Sequence, residues 1–352
     1  MYFDMKKKEE KELAKGMGFQ ISADNKNMLV SKSGKMYVID LPSSEIKLKD
    51  KISTSDMKIW VDTHKEYKQI FDEAWRQMRD FFYDPGMHGV NWKAMHDKYS
   101  KFIPYVNHRN DLTYIIGEMI AELNVGHAYV GGGDRETPDK IYTGLLGAEL
   151  KKDKSGYFKI KTLLEGKNWL KKYTAPLSGI GKNIEEGDYI TAIDGKSTKN
   201  VDNIYSMMLG KGGKKVVISI NDKADEKGSR DLIIETSKDE AKLYYHKWVR
   251  ENIRKVNEAT DGKVGYIHIP NMVTEGLNEF VKYFYPQLTK EGLITDDRGN
   301  GGGNVSPMII ERLRRELAMM GAGRNVKKPG TRPRRMHVGH KVLLVNQYSA
   351  SD

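Results

Sequence analysis

Leu293-Ile294-Thr295-Asp296-Asp297-Arg298-Gly299-Asn300-Gly301-Gly302-Gly303 is an apolar run that breaks into a glycine turn, and the residues after it read as a helix over 305–319. A helix to about Asn257, a strand Val264–Ile269 and a helix 275–289 precede this stretch, and a strand 341–346 follows it after a loop. Strands alternating with helices imply a mostly parallel sheet with helices on its faces, and sites in such sheets collect at the carboxyl ends of the strands. Gly301–Gly303 and Ser349–Asp352 both fall at such ends. The glycine turn presents backbone N–H groups at a helix N-terminus, which suits a phosphate or an oxyanion. The phosphate-loop pattern is not met, because no Gly-Lys-Ser/Thr follows, and the dinucleotide spacing fails at Asn304.

Upstream the pattern changes three times. Residues 1–41 read as short strands, Tyr2–Met5, Glu12–Ala14, Gly18–Ser22, Met28–Ser31 and Met36–Asp40, joined by turns such as Lys32-Ser33-Gly34-Lys35: about one four-stranded blade, or a small β-appendage. Thr63-His64-Lys65-Glu66 has capping-box spacing and opens a helix with one apolar face down to Pro85-Gly86. A second helix follows Asn91, and a third carries Leu112, Ile115, Ile116, Met119, Ile120 and Leu123; these stripes read as core. His127-Ala128-Tyr129-Val130 reads as a short strand before Gly131-Gly132-Gly133. Residues 142–236 look like a compact β-rich module, with strands Tyr157–Leu163, Tyr189–Ile193 and Lys215–Ile220, an Asp194-Gly195 turn and a helix near 201–209. Its loop Gly144-Leu145-Leu146-Gly147, beside a sheet edge, could hold a peptide's C-terminal carboxylate on its amides.

At 352 residues the chain has room for several domains, and 38% hydrophobic with 30% charged residues is a globular composition. The net charge of +11 comes mainly from lysines interleaved with acidic residues, so it reads as a solvated surface plus one basic stretch, 324–335, rather than a nucleic-acid binder. With no cysteine, neither a disulfide framework nor a thiolate zinc site is possible. His337-Val338-Gly339-His340 lacks carboxylate support and reads as solvated rather than metal-binding. No segment approaches the apolar length of a membrane span, and Met1-Tyr2-Phe3-Asp4-Met5-Lys6 lacks the regions of a signal peptide.

A serine nucleophile needs a base, an oxyanion hole and a group that orients the base. Ser351 and Ser349 are candidates for the first, and His127, flanked by glycine, for the second. The order of Asp72-Glu73-Ala74-Trp75-Arg76-Gln77-Met78-Arg79-Asp80-Phe81-Phe82-Tyr83-Asp84-Pro85, Gly126-His127-Ala128-Tyr129-Val130, a PDZ-like module, Asp297-Arg298-Gly299-Asn300-Gly301-Gly302-Gly303 and Asn346-Gln347-Tyr348-Ser349-Ala350-Ser351-Asp352 resembles the tricorn proteases, within the tail-specific, C-terminal-processing serine peptidases. The resemblance implies a multidomain α+β chain. Its parts are a last β-propeller blade and linker at 1–60, a helical domain carrying the histidine at 61–135, a PDZ-like domain at 136–237, and at 238–352 a crotonase/ClpP-like α/β catalytic domain cut after the nucleophile.

The same resemblance implies that Ser351 is the nucleophile, His127 the general base, and the amides of Gly303 and Asp352 the oxyanion hole, with Gly144, Leu145, Leu146 and Gly147 as the peptide-binding loop. It further implies peptide substrates, a hexamer, a cytoplasmic location and no cofactor. Two positions depart from the pattern. Gly126 stands where the family's histidine is often preceded by serine, and the glutamate that completes the relay lies beyond Asp352, so the resemblance implies chemistry for the parent protein and little activity for these residues alone. Archaeal members owe a basic P1 preference to an acidic residue near Met319-Met320-Gly321-Ala322, where this sequence offers none. The alternative from another class is a non-catalytic PDZ-type peptide-binding protein.

Overall fold

The computed structural model describes every residue except Met1, Leu13, Ala14, Ser43, Ser44, Glu136 and Lys328, and the backbone alone of Tyr2 and Lys11. The chain divides into two compact units, residues 1–138 and 139–352.

In the first unit, β1 (Tyr2–Asp4) and β2 (Glu9–Lys11) form a hairpin, and β3 (Gly18–Ile21), β4 (Asn27–Lys32) and β5 (Lys35–Asp40) form a separate antiparallel meander. The two-residue turn between β4 and β5 is Ser33-Gly34, both at positive φ, the geometry that matches strand twist in a tight hairpin. Alternation on β4 buries Met28 and Val30 on one face. Among the described residues three strands pair together and two pair apart, rather than as one four-stranded sheet. The expected strand at 12–14 falls on Leu13 and Ala14, outside the described residues.

Helix α1 (Thr63–Phe81) starts one residue earlier than the capping-box spacing suggests, because the Asp62 carboxylate accepts the Lys65 amide at 3.3 Å and takes the cap. Asn91 caps α2 (Trp92–Tyr99) through the Ala94 amide at 3.0 Å. With α3 (Arg109–Ala121) these helices close on Phe71, Trp92, Leu112, Ile116, Met119 and Leu123. The Trp75 indole donates to the Trp92 carbonyl at 2.8 Å and the Trp92 indole to the Trp75 carbonyl at 3.0 Å, so both ring N–H groups are satisfied while locking α1 to α2.

The second unit opens with an antiparallel sheet of β6 (Ala148–Lys152), β7 (Phe158–Leu163), β8 (Tyr189–Ile193), β9 (Lys196–Ser197), β10 (Lys215–Asn221) and β11 (Arg230–Glu235), ordered β11-β10-β8-β7-β6 with β9 on β8. Ile160, Ile190, Ile218, Leu146 and Met208 form its core. Residues 201–209 form only a short 3₁₀ turn, Ile204–Met208, capped by Asn203. Strands β6 and β11 were not foreseen.

The α/β part runs α4 (Ala241–Ala259), β12 (Val264–His268), α5 (Thr274–Phe284), β13 (Gly292–Asp296), α6 (Ser306–Leu313), the hairpin β14 (Met319–Gly321) and β15 (Gly330–Arg332), and β16 (His340–Leu344). The sheet is parallel in the order β12-β13-β16, and Asp296 lies opposite Leu344, so the glycine turn and the 345–352 segment leave it at the same end. Helix α6 ends six residues before the expected 319. Its apolar face stops at Leu313, Leu317 is exposed, and Met319–Gly321 pairs into the hairpin instead. Among the described residues β16 pairs only with β13; Val342 and Leu343 in it are 53% and 59% exposed, and Val345 just past it 61%. His337 is not solvated as expected: it is 1% exposed, and burial, with Lys341 second, lowers its pKa. Among the described residues no helix is long and apolar enough to cross a membrane.

Candidate active site

Two loops meet at the carboxyl ends of β13 and β16. The Asp297 amide donates to the Leu344 carbonyl at 2.8 Å, and the Ala350 amide to the Asn300 carbonyl at 2.9 Å. Asn346 pins both loops through one oxygen, its Oδ1 accepting the amides of Gly299 and Tyr348 at 3.1 Å each. The Ser349 hydroxyl donates to the Asp297 carbonyl at 2.7 Å and accepts the Asn346 amide at 3.2 Å. That hydroxyl serves the loop's own architecture.

Ser351 sits two residues on, exposed, at φ +65°. A left-handed backbone costs a residue with a Cβ about 1–2 kcal/mol, so the bonds on either side of the turn must hold it there. Its neighbour across the turn is Gly302: a Cβ at Gly302 would lie 2.4 Å from the Ser351 Cβ and 2.7 Å from the Ala350 carbonyl oxygen. Only a residue without a side chain lets the glycine turn come this close.

Gly303 is held from the other side. It forms a parallel bridge with Met272, in which the Met272 amide donates to the Gly302 carbonyl at 2.8 Å and the Met272 carbonyl accepts the Asn304 amide at 2.7 Å. The bridge uses the groups flanking Gly303 and leaves its own N–H outside the pairing. Its φ is +155°, and a Cβ there would lie 2.1 Å from the Met272 oxygen. Asn300, 4% exposed, shapes the rest, donating to the Ile269 carbonyl at 2.9 Å and accepting the Gly302 amide at 2.8 Å. Asp352 follows Ser351, exposed.

Beneath the turn lies a buried carboxylate that sequence reasoning did not pick out. Asp296, 0% exposed, accepts the Tyr266 hydroxyl at 2.6 Å and the Arg298 Nε at 2.9 Å. Burial pushes its carboxyl up, but the bonds from Arg298 and Tyr266 outweigh that and hold it below the usual range. The Arg298 carbonyl in turn lies 3.1 Å from Nε2 of His268, a buried histidine. The signal was available only as polar residues ending an apolar strand.

Asp297 differs sharply from its neighbour. Burial first, and the Asp296 charge second, push its carboxyl up to about 6 from an ordinary 3.8. The native state thus keeps a proton that the unfolded chain has lost, so this group erodes stability as pH rises from about 4 through about 6. The full shift corresponds to about 3 kcal/mol, and partial exposure reduces this to roughly 1–2 kcal/mol. Asp297→Asn is expected to raise stability by that amount at pH 8 and leave it unchanged at pH 4, as read by urea denaturation at the two pH values.

His127 belongs to the other compact unit. The expected strand 127–130 does not form: the chain turns after α3, with His127 exposed at φ +62° and its Nδ1 3.0 Å from the Tyr129 hydroxyl. In the 144–147 loop the Gly144 amide donates to the Met208 carbonyl at 2.8 Å and the Leu145 amide to the Ser237 carbonyl at 2.9 Å, while the Gly147 amide donates to the Glu240 carboxylate. Among the described residues no cluster of histidine and carboxylates has the makings of a metal site.

Three family models match in sequence order: the Tricorn protease C1 domain over residues 63–121, the Tricorn protease PDZ domain over 144–239 and Peptidase family S41 over 263–352. The chain is 31% identical to the Tricorn protease of Thermoplasma acidophilum, over 99% of this chain and 32% of that protein. It is 29% identical to Tricorn protease homolog 1 of Streptomyces coelicolor, over 95% of this chain and 32% of the homolog. A crystal structure of the tricorn protease superposes with a TM-score of 0.80 at 30% identity, covering 99% of this chain and 34% of that one. The chain thus spans about a third of the length of these relatives. With three of its domains in order and its fold reproduced over nearly every residue, the chain belongs to the tricorn protease family.

Proposed function

We propose that this chain is part of a serine peptidase that hydrolyses oligopeptides through an acyl-enzyme. The observation that carries the reading is the turn at Ser351, an exposed serine held at positive φ against Gly302 and one residue from Gly303. The neighbouring Ser349 hydroxyl is tied to the loop, which favours Ser351 as the nucleophile. Ser351 Oγ attacks the peptide carbonyl carbon while its proton passes to His127. The amides of Gly303 and Asp352 meet the charge that grows on the carbonyl oxygen. The proton on His127 then leaves with the amine, and water hydrolyses the ester by the reverse sequence. By resemblance the glutamate that orients His127 lies after Asp352.

The finer assignments belong to the same proposal. Residues 1–60 supply the last blade of a propeller and a linker, 61–135 the helical domain, 136–237 the PDZ-like domain and 238–352 a crotonase/ClpP-like catalytic domain, in a cytoplasmic hexamer. A fluorophosphonate probe on the full-length protein tests the chemistry. It is expected to label Ser351, with labelling lost in Ser351→Ala and kept in Ser349→Ala; equal labelling of the Ser351→Ala variant overturns the reading.

A further inference from the structure

Glu240 is the residue from which α4 starts, yet its side chain makes no hydrogen bond to its own helix. It is 8% exposed and turns instead into the 144–147 loop, where its Oε1 accepts the Gly147 amide and the Leu146 amide also acts on it. The loop is tied to the same segment by the reciprocal bonds of Leu145 and Ser237, amide to carbonyl at 2.9 Å and 2.8 Å. A carboxylate on consecutive loop amides is what a peptide's C-terminus would present there.

The rest of α4 continues the occupation. Strand β6 is the edge of the sheet, with β7 as its partner among the described residues. Lys247, two turns along α4 from Glu240, reaches Glu149 of β6 with its Nζ 3.3 Å from Oε1. Tyr244, between them on the helix, lies in the fields of both Glu240 and Glu149. The helix face 240–244–247 thus runs beside the edge along which an added strand would pair. Among the described residues, the groups that act most strongly on Glu240 include no cation. Burial first, and Asp239 third, push its carboxyl up against the pull of the Gly147 and Leu146 amides. A charge buried without a cationic partner is costly to keep and easier to displace.

We infer that Glu240 is a tethered ligand of the 144–147 loop, filling with its own carboxylate the place of a peptide's free C-terminal carboxylate, so that such a peptide binds only by displacing it. The inference rests on reading 144–147 as a carboxylate loop and is independent of Ser351. Because α4 also packs on β12 of the catalytic sheet, a peptide seated on the loop would free the start of a helix that belongs to the other half of the unit.

The test uses the full chain, with a dye-labelled pentapeptide ending in leucine, as free acid and as C-terminal amide, in fluorescence anisotropy. The wild-type protein is expected to bind both alike and weakly. Glu240→Ala and Glu240→Gln are expected to prefer the acid by about tenfold or more, a difference of about 1.4 kcal/mol. Millimolar acetate is expected to raise the melting temperature of Glu240→Ala and not of the wild type. In wild-type hydrogen exchange the Leu146 and Gly147 amides are expected to be protected. Wild-type preference for the acid as strong as the variants', folded variants with neither acid preference nor acetate response, or unprotected Leu146 and Gly147 amides would each overturn the inference.

Discussion

Ser351→Ala is expected to lower peptide hydrolysis by the full-length protein by about 10⁴–10⁶-fold in kcat, because an enzyme stripped of its nucleophile retains only what the oxyanion hole and binding supply. The left-handed φ of +65° is no easier for alanine, and alanine keeps the Cβ against which Gly302 packs, so the turn itself should persist. Ser349→Ala should behave in the opposite sense. Its hydroxyl holds Asp297 and Asn346, so its removal should cost about 1–2 kcal/mol of stability while sparing most of the turnover per folded molecule. Single-turnover kinetics beside denaturant melts separate the two, and a Ser349→Ala variant with the larger catalytic loss would reverse the assignment.

Gly303→Ala is the second large effect. The new Cβ would lie 2.1 Å from the Met272 carbonyl oxygen, and φ at this position is +155°, so the turn must retreat from residue 272. Retreat breaks the bridge that aims the Gly303 N–H, and losing one oxyanion donor costs about 2.7–4 kcal/mol, or 10²–10³ in kcat. Substrate affinity should change much less, since the donor acts on charge present only in the transition state. Gly301→Ala is the matched control: nothing lies within 4 Å of its Cβ position and its φ is not left-handed, so kcat and stability should stay near wild type.

The α/β order of residues 241–344 was legible because period and punctuation agree there. Val264–His268 and Gly292–Asp296 are apolar runs bounded by turn residues, and the helix between them keeps a single apolar face ending in Phe280 and Phe284. What failed depended on partners distant in sequence. His127–Val130 has the composition of a strand, but composition does not fix the backbone, which turns at His127 with φ +62°. Residues 308–318 carry helix formers, yet only the turns up to Leu313 meet a core, and the chain beyond runs to the hairpin that Met319–Gly321 forms with 330–332. The bond from the Gly147 amide to a carboxylate 93 residues away could not be read from the sequence. Asp296 and Asp297 are adjacent and identical in type, and only the fold gives one an arginine and the other none.

Strand β16 has a practical consequence. Its Val342 and Leu343, with Val345 just past it, lie exposed, among the described residues β16 pairs only with β13, and an open apolar edge templates whatever strand reaches it first. In a preparation of residues 1–352, solubility will be set by this edge more than by the net charge of +11, and shielding it with a co-expressed strand is the route to a well-behaved sample.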